Sequence, residues 1–165
     1  PLRQVADTLS TSYLVERILD LERTLRTDFA VSEPRIAVLG LNPHSGEHGT
    51  IGQEENTVIG PAVEQAAGTM HGSRVDGPLP ADGFFGFGAY KRYDGILAMY
   101  HDQGFIPLKL LAGGGGVNIT AGLKHVRTSP DHGTAYDIAG RDEADPASTI
   151  EAINTAASIV RRRHG

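Results

Sequence analysis

The sequence predicts an α/β domain whose sheet is largely parallel. Two short apolar runs that include β-branched residues, at 35–41 and 95–100, are typical of buried strands. Helical patterns lie before, between and after these runs, and strands that alternate with helices favour parallel pairing. The chain has 165 residues, which suffices for one ordinary domain or for one domain and part of another.

The first half of the chain contains two predicted helices around the first strand. The helix at 10–26 has an apolar stripe made of Leu14, Ile18, Leu21 and Leu25. Pro34 precedes the strand at 35–41, which we expect to be buried on both faces. Pro61 suits the first turn of the next helix, which is predicted to continue to about 69.

The second half has weaker signals. No element is predicted at 77–88, because this stretch is rich in Gly and Pro and has no clear period. A short helical piece is expected at 106–111, and short strands are expected at 117–120 and 126–128. Asp145–Pro146 is typical of a helix start. The final helix has one apolar stripe, formed by Ile150, Ile153, Ala157 and Val160.

The composition excludes several classes of protein. The formal charge is −5 and there is no basic stripe, so nucleic acid is not an expected partner. The absence of cysteine excludes disulfides, a thiolate zinc site and a cysteine nucleophile, and it fits a reducing compartment such as the cytoplasm. The longest apolar run, 36–41, is far too short to span a bilayer. We therefore expect a cytoplasmic protein without a membrane partner.

A histidine follows each of the two strongest predicted strands. His44 lies in the turn after 35–41, and His101 comes directly after 95–100. In parallel sheets, ligands bind at the carboxyl ends of strands, and neutral imidazole binds zinc, cobalt, nickel or iron. Asp102 is placed to orient a ring or to accept a proton. Taken singly, each histidine is more typical of a hydrogen-bonded surface residue, so both interpretations stay open.

Polar residues further along the chain suit an anionic ligand. Lys109, Asn118 and Arg127 would bind a phosphate or carboxylate if they converged, with Arg as a bidentate fork and Lys as a point charge. The alternative is that they are solvated surface residues. The small residues of 132–140 would let the backbone approach a flat ligand, and Thr134 adds a hydroxyl, but a generic loop before a helix has the same composition.

Blocks of sequence that occur in a fixed order carry a family resemblance. They are RIAVLGLNPHSGE (35–47), GPLPAD (77–82), MYHDQG (99–104), VNIT (117–120) and RTSPDHGTA (127–135). Together they resemble the carboxyl-terminal half of the 4-hydroxythreonine-4-phosphate dehydrogenases of vitamin B6 biosynthesis. Segment 132–140, followed by Asp145–Pro146, is also similar to the adenosine-binding loop of the isopropylmalate and isocitrate dehydrogenases, whose fold that family shares.

The resemblance implies an activity and its cofactors. The expected reaction is NAD- or NADP-dependent oxidation of 4-phosphooxy-threonine with decarboxylation to 3-amino-2-oxopropyl phosphate, assisted by a divalent metal (Zn, Co or Mg). In the family three histidines hold the metal, and His44 and His101 match two of them. The third belongs to a Thr-His-x-Pro-Leu motif whose end matches Pro1–Leu2. That ligand is therefore expected before the first residue of this chain.

The resemblance also assigns roles to individual residues. Asp82 and Asp102 match acidic positions close to the metal, and they are the expected catalytic residues. Lys109, Asn118 and Arg127 match substrate-binding positions. The expected cofactor-binding residues are His132, Gly133, Thr134, Ala135 and Asp145.

The family fold implies a three-layer α/β/α architecture of the isopropylmalate dehydrogenase type, incomplete here at the amino-terminal side. Residues 1–126 would form the central dimerisation domain, and 127–165 would return to a mostly missing domain. The expected assembly is a homodimer that shares its metal site between subunits, and the isolated chain is expected to be inactive. Two alternatives remain: a related dehydrogenase of another phosphorylated hydroxy acid or of a dihydrodiol, and a truncated, non-catalytic dimerisation domain.

Overall fold

The computed structural model describes residues 1–113, 116–131, 133 and 136–165. The chain divides into two compact units, Pro1–Phe105 and Ile106–Gly165, each described here by itself. The helices are α1 (Val5–Thr8), α2 (Thr11–Phe29), α3 (Gly60–Thr69), α4 (Ala81–Gly86), α5 (His101–Ala112) and α6 (Ala147–His164). The strands are β1 (Arg35–Leu39), β2 (Arg74–Leu79), β3 (Gly95–Leu97), β4 (Val117–Ile119) and β5 (Thr128–Pro130).

The first unit is built on a parallel sheet with β1 at its centre. The strand order is β2-β1-β3, and Ile36 pairs with Val75 on one side and with Gly95 on the other. Residues 36–39 of β1 are fully buried. The predicted α/β class, the parallel pairing and a first strand buried on both faces are therefore confirmed.

Alternation along β1 gives this unit three layers. Ile36 and Val38 pack with α2 and α3 in one apolar cluster. Ala37 and Leu39 belong to a second cluster with Phe84 of α4. Because successive side chains of a strand point to opposite faces, helices cover both sides of the sheet. The expected three-layer α/β/α arrangement is confirmed.

Helix α2 begins and ends close to the predicted bounds. Its N-cap is Ser10, whose hydroxyl accepts a hydrogen bond from the Tyr13 backbone N–H at 3.3 Å. It ends at Ala30, which has a left-handed φ of 58°. The helix packs so closely on the sheet that a Cβ at Gly95 of β3 would lie 2.9 Å from Leu25 Cδ1. This close approach explains why β3 begins with a glycine.

The second unit combines a small sheet with the last helix. Strands β4 and β5 are antiparallel, and Asn118 pairs with Ser129. The Thr128 hydroxyl donates to the Ala152 carbonyl of α6 at 2.9 Å. The carboxylate of Asp145 accepts from the Ala147 N–H at 2.8 Å, so the predicted helix start is correct to within a residue.

Strand β2 and helix α4 have no counterpart among the sequence predictions. Both lie wholly or partly in the Gly- and Pro-rich stretch for which no element was expected. β2 is an edge strand, so Pro78 removes no hydrogen bond from the interior of the sheet. A Cβ at Gly77 would lie 2.6 Å from the Val38 carbonyl oxygen. Gly77 and Pro78, which are typical of loops, are therefore compatible with a strand at this position.

Several predicted bounds shift in the structure. β3 ends at Leu97 rather than at 100, and β5 begins at Thr128 rather than at 126. α5 begins at His101 rather than at 106, and it contains Pro107. Within the part of the chain that the structure describes, no helix is both long and apolar enough to cross a bilayer. The division of the family's longer chain between 126 and 127 stays a prediction.

Candidate metal and substrate site

Each strand of the parallel sheet is followed, within a few residues, by a side chain that the sequence singled out. His44 follows β1, Asp82 follows β2 and His101 follows β3. The three strands are adjacent and parallel, so their carboxyl ends meet at one edge. The sheet thus delivers two histidines and a carboxylate to the same edge.

A pocket of about 340 Å³ lies at this edge. It is lined by Leu41, Asn42, Pro43, His44, Ala81, Asp82, Tyr100 and Gln103. The structure therefore brings His44 and Asp82 to one cavity. His101 is next to Tyr100 in sequence but is not among the lining residues, and its side chain is exposed. His44 also lines a second pocket of about 570 Å³, on the side of Glu47, His48 and Glu64.

The turn that carries His44 has an unusual backbone. The five residues 44–48 all have positive φ, from 44° at Glu47 to 78° at Gly46. For residues with a side chain, left-handed geometry costs about 1–2 kcal/mol each. Such strain persists only where the surroundings impose it, and it is concentrated at functional sites. The residues packed around the turn therefore determine the backbone conformation of His44.

Glu55 supports this turn. The side chain is only 3% exposed, and its carboxylate accepts from Asn42 N at 2.7 Å and from Asn42 Nδ2 at 3.0 Å. A Cβ at Gly46 would lie 2.6 Å from Glu55 Oε2, so the turn closes directly over the carboxylate. The neighbouring Glu54 has its pKa lowered, first by its own backbone N–H and then by the Asn42 amide.

Glu55 and Gln103 were not predicted from the sequence. Glu55 belongs to an acidic pair that follows the Gly-rich loop, and this pair was the only signal in the sequence. Gln103 lies within the MYHDQG block, but an amide in the first turn of a helix has no distinctive pattern. Both act through backbone atoms of other segments, and such contacts cannot be read from spacing.

His101 is oriented by its neighbours at the start of α5. Its Nδ1 lies 2.8 Å from Asp102 Oδ1, and its ring stacks on Phe105 with centroids 4.2 Å apart. This contact suits the tautomer in which Nδ1 carries the proton and Nε2 keeps its lone pair. Metal-binding histidines commonly have this arrangement.

The donor set fits a divalent ion in part. Two imidazoles and nearby carboxylates are suitable ligand types. Among residues 1–113, 116–131, 133 and 136–165, however, no group of three or more His, Asp or Glu side chains is arranged to hold a metal. A complete site would need a further ligand, as the resemblance implies.

The predicted substrate residues lie in the second unit. Asn118 is on β4, and Arg127 directly precedes β5. Arg127 Nη1 donates to the Thr120 hydroxyl at 2.9 Å, and the Thr120 N–H donates to the Arg127 carbonyl at 3.1 Å. Lys109 Nζ on α5 is 3.7 Å from Asp131 Oδ2. These cationic side chains are exposed and each is held by one local partner.

The predicted cofactor residues are only partly described. His132, Thr134 and Ala135 lie outside the described residues. Gly133 is exposed, and Asp145 bonds to the first turn of α6, as given above. Their role in cofactor binding stays a prediction.

The fold and this edge define a class: α/β proteins with a parallel sheet and a polar, histidine-containing site at the strand ends. Within that class, residues 1–156 match the model of the family described as pyridoxal phosphate biosynthetic protein PdxA. The match covers far more than half of the chain. The chain belongs to this family.

Curated relatives agree with the assignment. The chain is 51% identical over 162 residues to a 4-hydroxythreonine-4-phosphate dehydrogenase from Caulobacter vibrioides, covering 98% of this chain and 48% of that protein. It is 49% identical over 163 residues to the enzyme of that name from Bacteroides thetaiotaomicron, covering 99% of this chain and 44% of the relative. The chain thus spans about half the length of the curated relatives that it matches.

Solved structures show the same fold. A 4-hydroxythreonine-4-phosphate dehydrogenase from Klebsiella pneumoniae superposes with a TM-score of 0.81 at 46% identity, over 96% of this chain and 48% of that one. A terephthalate 1,2-cis-dihydrodiol dehydrogenase from Burkholderia xenovorans superposes with a TM-score of 0.73 at 29% identity, over 94% and 48%. The fold therefore occurs with more than one named activity.

Proposed function

We propose that this chain forms the metal- and substrate-binding half of a 4-hydroxythreonine-4-phosphate dehydrogenase. The reaction is oxidation of 4-phosphooxy-threonine by NAD or NADP, with decarboxylation to 3-amino-2-oxopropyl phosphate. The working form is a cytoplasmic homodimer that shares its metal site between subunits. The observation that carries the proposal is the edge of the parallel sheet, where His44, Asp82 and His101 follow three adjacent strands.

In this proposal His44 and His101 hold a divalent ion (Zn, Co or Mg). When bound, such an ion supplies Lewis acidity that favours the alkoxide form of the substrate hydroxyl. The His44 imidazole is held by the strained turn over Glu55. Asp102 keeps the proton of His101 on Nδ1 and so leaves Nε2 as the donor atom.

The carboxylates of Asp82 and Asp102 have different roles at this edge. Asp82 lines the same pocket as His44, so it is the group that accepts the proton of the substrate hydroxyl. Asp102 has one oxygen committed to the His101 ring, and its part is to orient that ring.

The anionic groups of the substrate are bound by Lys109, Asn118 and Arg127. Arg127 offers a planar fork that its bond to Thr120 orients, and Lys109 adds a point charge. Holding the substrate at its charged ends determines which hydrogen faces the nicotinamide. The nicotinamide nucleotide is bound by His132, Gly133, Thr134, Ala135 and Asp145.

The test is a chimera in which this chain replaces the 162 matched residues of the Caulobacter vibrioides relative. With metal present, the chimera should reduce NAD or NADP when 4-phosphooxy-threonine is added and should release carbon dioxide. Asp82→Asn should lower kcat by about 100-fold or more, as expected for loss of a proton acceptor. His71→Ala, which changes an exposed histidine away from the edge, is the matched control.

A folded, dimeric chimera that produces no reduced nucleotide would overturn the dehydrogenase proposal and favour a non-catalytic dimerisation role. A second candidate, oxidation of a cis-dihydrodiol, is supported by the similarity to the Burkholderia xenovorans dehydrogenase. The same assay with terephthalate cis-dihydrodiol in place of the phosphorylated substrate separates the two candidates.

A further inference from the structure

Gln103 occupies a distinctive place at the edge of the sheet. Its Nε2 donates to the Gly40 carbonyl at 2.7 Å, and its Oε1 accepts from the Met99 N–H at 2.7 Å. Gly40 directly follows β1, and Met99 lies in the turn between β3 and α5. Both ends of one amide are thus bonded to the backbone, each at the end of a different strand.

The two bonded backbone groups belong to the segments that carry the candidate metal ligands. From Gly40 the chain runs directly into the turn with His44, and from Met99 it runs directly to His101. Gln103 itself lines the 340 Å³ pocket beside His44. A single side chain therefore connects the support of one histidine to the support of the other.

The N–H of Gly40 donates to the Leu79 carbonyl of β2 at 2.8 Å, so this group bonds the His44 segment to β2 and not to the His101 segment. β3 is only three residues long, and its pairing with β1 ends at Leu97 and Val38. Beyond that register, within the described part of the chain, the hydrogen bond from Gln103 Nε2 to the Gly40 carbonyl joins the two segments, and the bond from the Met99 N–H to Gln103 Oε1 lies within the His101 segment. The Gln103 amide thus links the two segments by a hydrogen bond beyond the last backbone pair of β1 and β3.

We propose that Gln103 is a positioning residue that holds the His44 and His101 segments in the arrangement needed for metal binding. This inference rests on the proposed function, because it assumes that both histidines are ligands. It does not require them to bind the same ion, since either imidazole is misplaced when its segment shifts. Loss of outer contacts around metal ligands typically weakens metal affinity on the order of 10-fold.

The experiment adds Co²⁺ stepwise to the folded chimera with the Caulobacter vibrioides relative, in which the residues outside this chain are present, and follows the ring signals of individual histidines by NMR. Paramagnetic broadening reports binding at each imidazole separately, and exposed His71 serves as an internal reference. In the unaltered chimera, His44 and His101 should broaden at Co²⁺ concentrations well below those that broaden His71. In Gln103→Met, which removes both bonds at similar volume, the concentrations for His44 and His101 should rise about 10-fold.

Two controls separate positioning from folding. Gln65→Met makes the same chemical change on an exposed face of α3 and should leave all three signals as in the unaltered chimera. If Gln103→Met does not give a dispersed, folded spectrum, Gln103→Asn is decisive. It keeps the amide but is too short to span both partners, and it should show the same rise.

The outcomes distinguish this inference from the proposed function. If His44 and His101 of the unaltered chimera respond only together with His71, they are not ligands, and both proposals are overturned. If the unaltered chimera responds as expected but folded Gln103→Met or Gln103→Asn binds Co²⁺ within two-fold of it, the positioning role alone is overturned. A rise confined to His44 and His101 supports the inference.

Discussion

The two compact units differ in how they hold their candidate functional residues. In the unit 1–105, buried side chains of β1, α2 and α3 form a continuous apolar cluster, and a second cluster lies on the other face of the sheet. In the unit 106–165, the α5 residues 106–112 include none that is buried, and α6 has only Ala152 and Ile159. The candidate metal ligands thus stand on a packed scaffold, whereas the candidate anion-binding residues rely on single local bonds.

This contrast shows two ways to fix a polar side chain. The His44 turn is strained, and buried groups hold it in place. Arg127 and Lys109 are exposed and are guided by Thr120 and Asp131. Metal binding needs ligands in a fixed arrangement, while a flexible anion tolerates adjustable cations.

Removing volume from the centre of the first unit should have the largest effect. Ile36→Ala truncates a side chain with no exposed surface and should lower the free energy of unfolding by about 3 kcal/mol. Ile153→Ala on α6 truncates a side chain that is 63% exposed, and it should change the free energy of unfolding by less than about 0.5 kcal/mol. Urea unfolding measures both. Equal losses would show that the α6 face is packed and would remove the contrast.

Adding a methyl group inside the strained turn should come next. Gly46→Ala introduces a Cβ 2.6 Å from Glu55 Oε2 at a φ of +78°, and should lower the free energy of unfolding by about 2 kcal/mol. Gly68→Ala is the matched control, because no atom lies within 4 Å of its Cβ position in α3. It should stabilise by about 0.5–1 kcal/mol. A neutral Gly46→Ala would mean that the turn adapts freely.

Removing the acceptor before α6 should have a smaller effect. Asp145→Ala deletes the oxygen that accepts from the Ala147 N–H, and it should cost about 1 kcal/mol. Asp145→Asn retains an acceptor and should lower the free energy of unfolding by only about a few tenths of a kcal/mol. Hydrogen exchange in the first turn of α6 is the measurement. Similar exchange in both variants would show that the side chain does not stabilise the helix start.

Acid should expose a modest contribution from Glu54. Its pKa is lowered in the folded protein, so it stabilises the fold above the ordinary value of 4.5. That contribution disappears as the pH falls through the lower folded-state pKa. Glu54→Gln should therefore flatten the decline in unfolding free energy below pH 4.5. Urea unfolding at a series of pH values tests this, and parallel curves for the two proteins would contradict it.

The fold was predictable where a local pattern determines the structure. The apolar stripe of α2 has a helical period, and β1 was recognised as a short apolar run that contains β-branched residues and follows Pro34. β2 was not predicted, because Gly77 and Pro78 usually interrupt strands. Gly77 fits here because it lies close to Val38, and Pro78 fits because β2 is at the edge of the sheet. Such reasons are tertiary and are absent from a local window of sequence.

The site was predictable in its chemistry but not in its support. Histidines after two strands directed attention to one edge, and the family resemblance added Asp82, which shares a pocket with His44. The left-handed turn, Glu55 and Gln103 were not foreseen. Their contacts join residues that are distant in sequence, as between Asn42 and Glu55 or between Gly40 and Gln103.

Each strand supplies its own group to the edge, but the connections are not independent. The connection after β2 carries Asp82 but none of the bonds made by Glu55 or Gln103. Gly40, which leads into the His44 turn, donates its N–H to the Leu79 carbonyl at 2.8 Å. A residue inserted between Leu79 and α4 would therefore move Asp82 and also disturb the backbone bond at the start of the His44 turn.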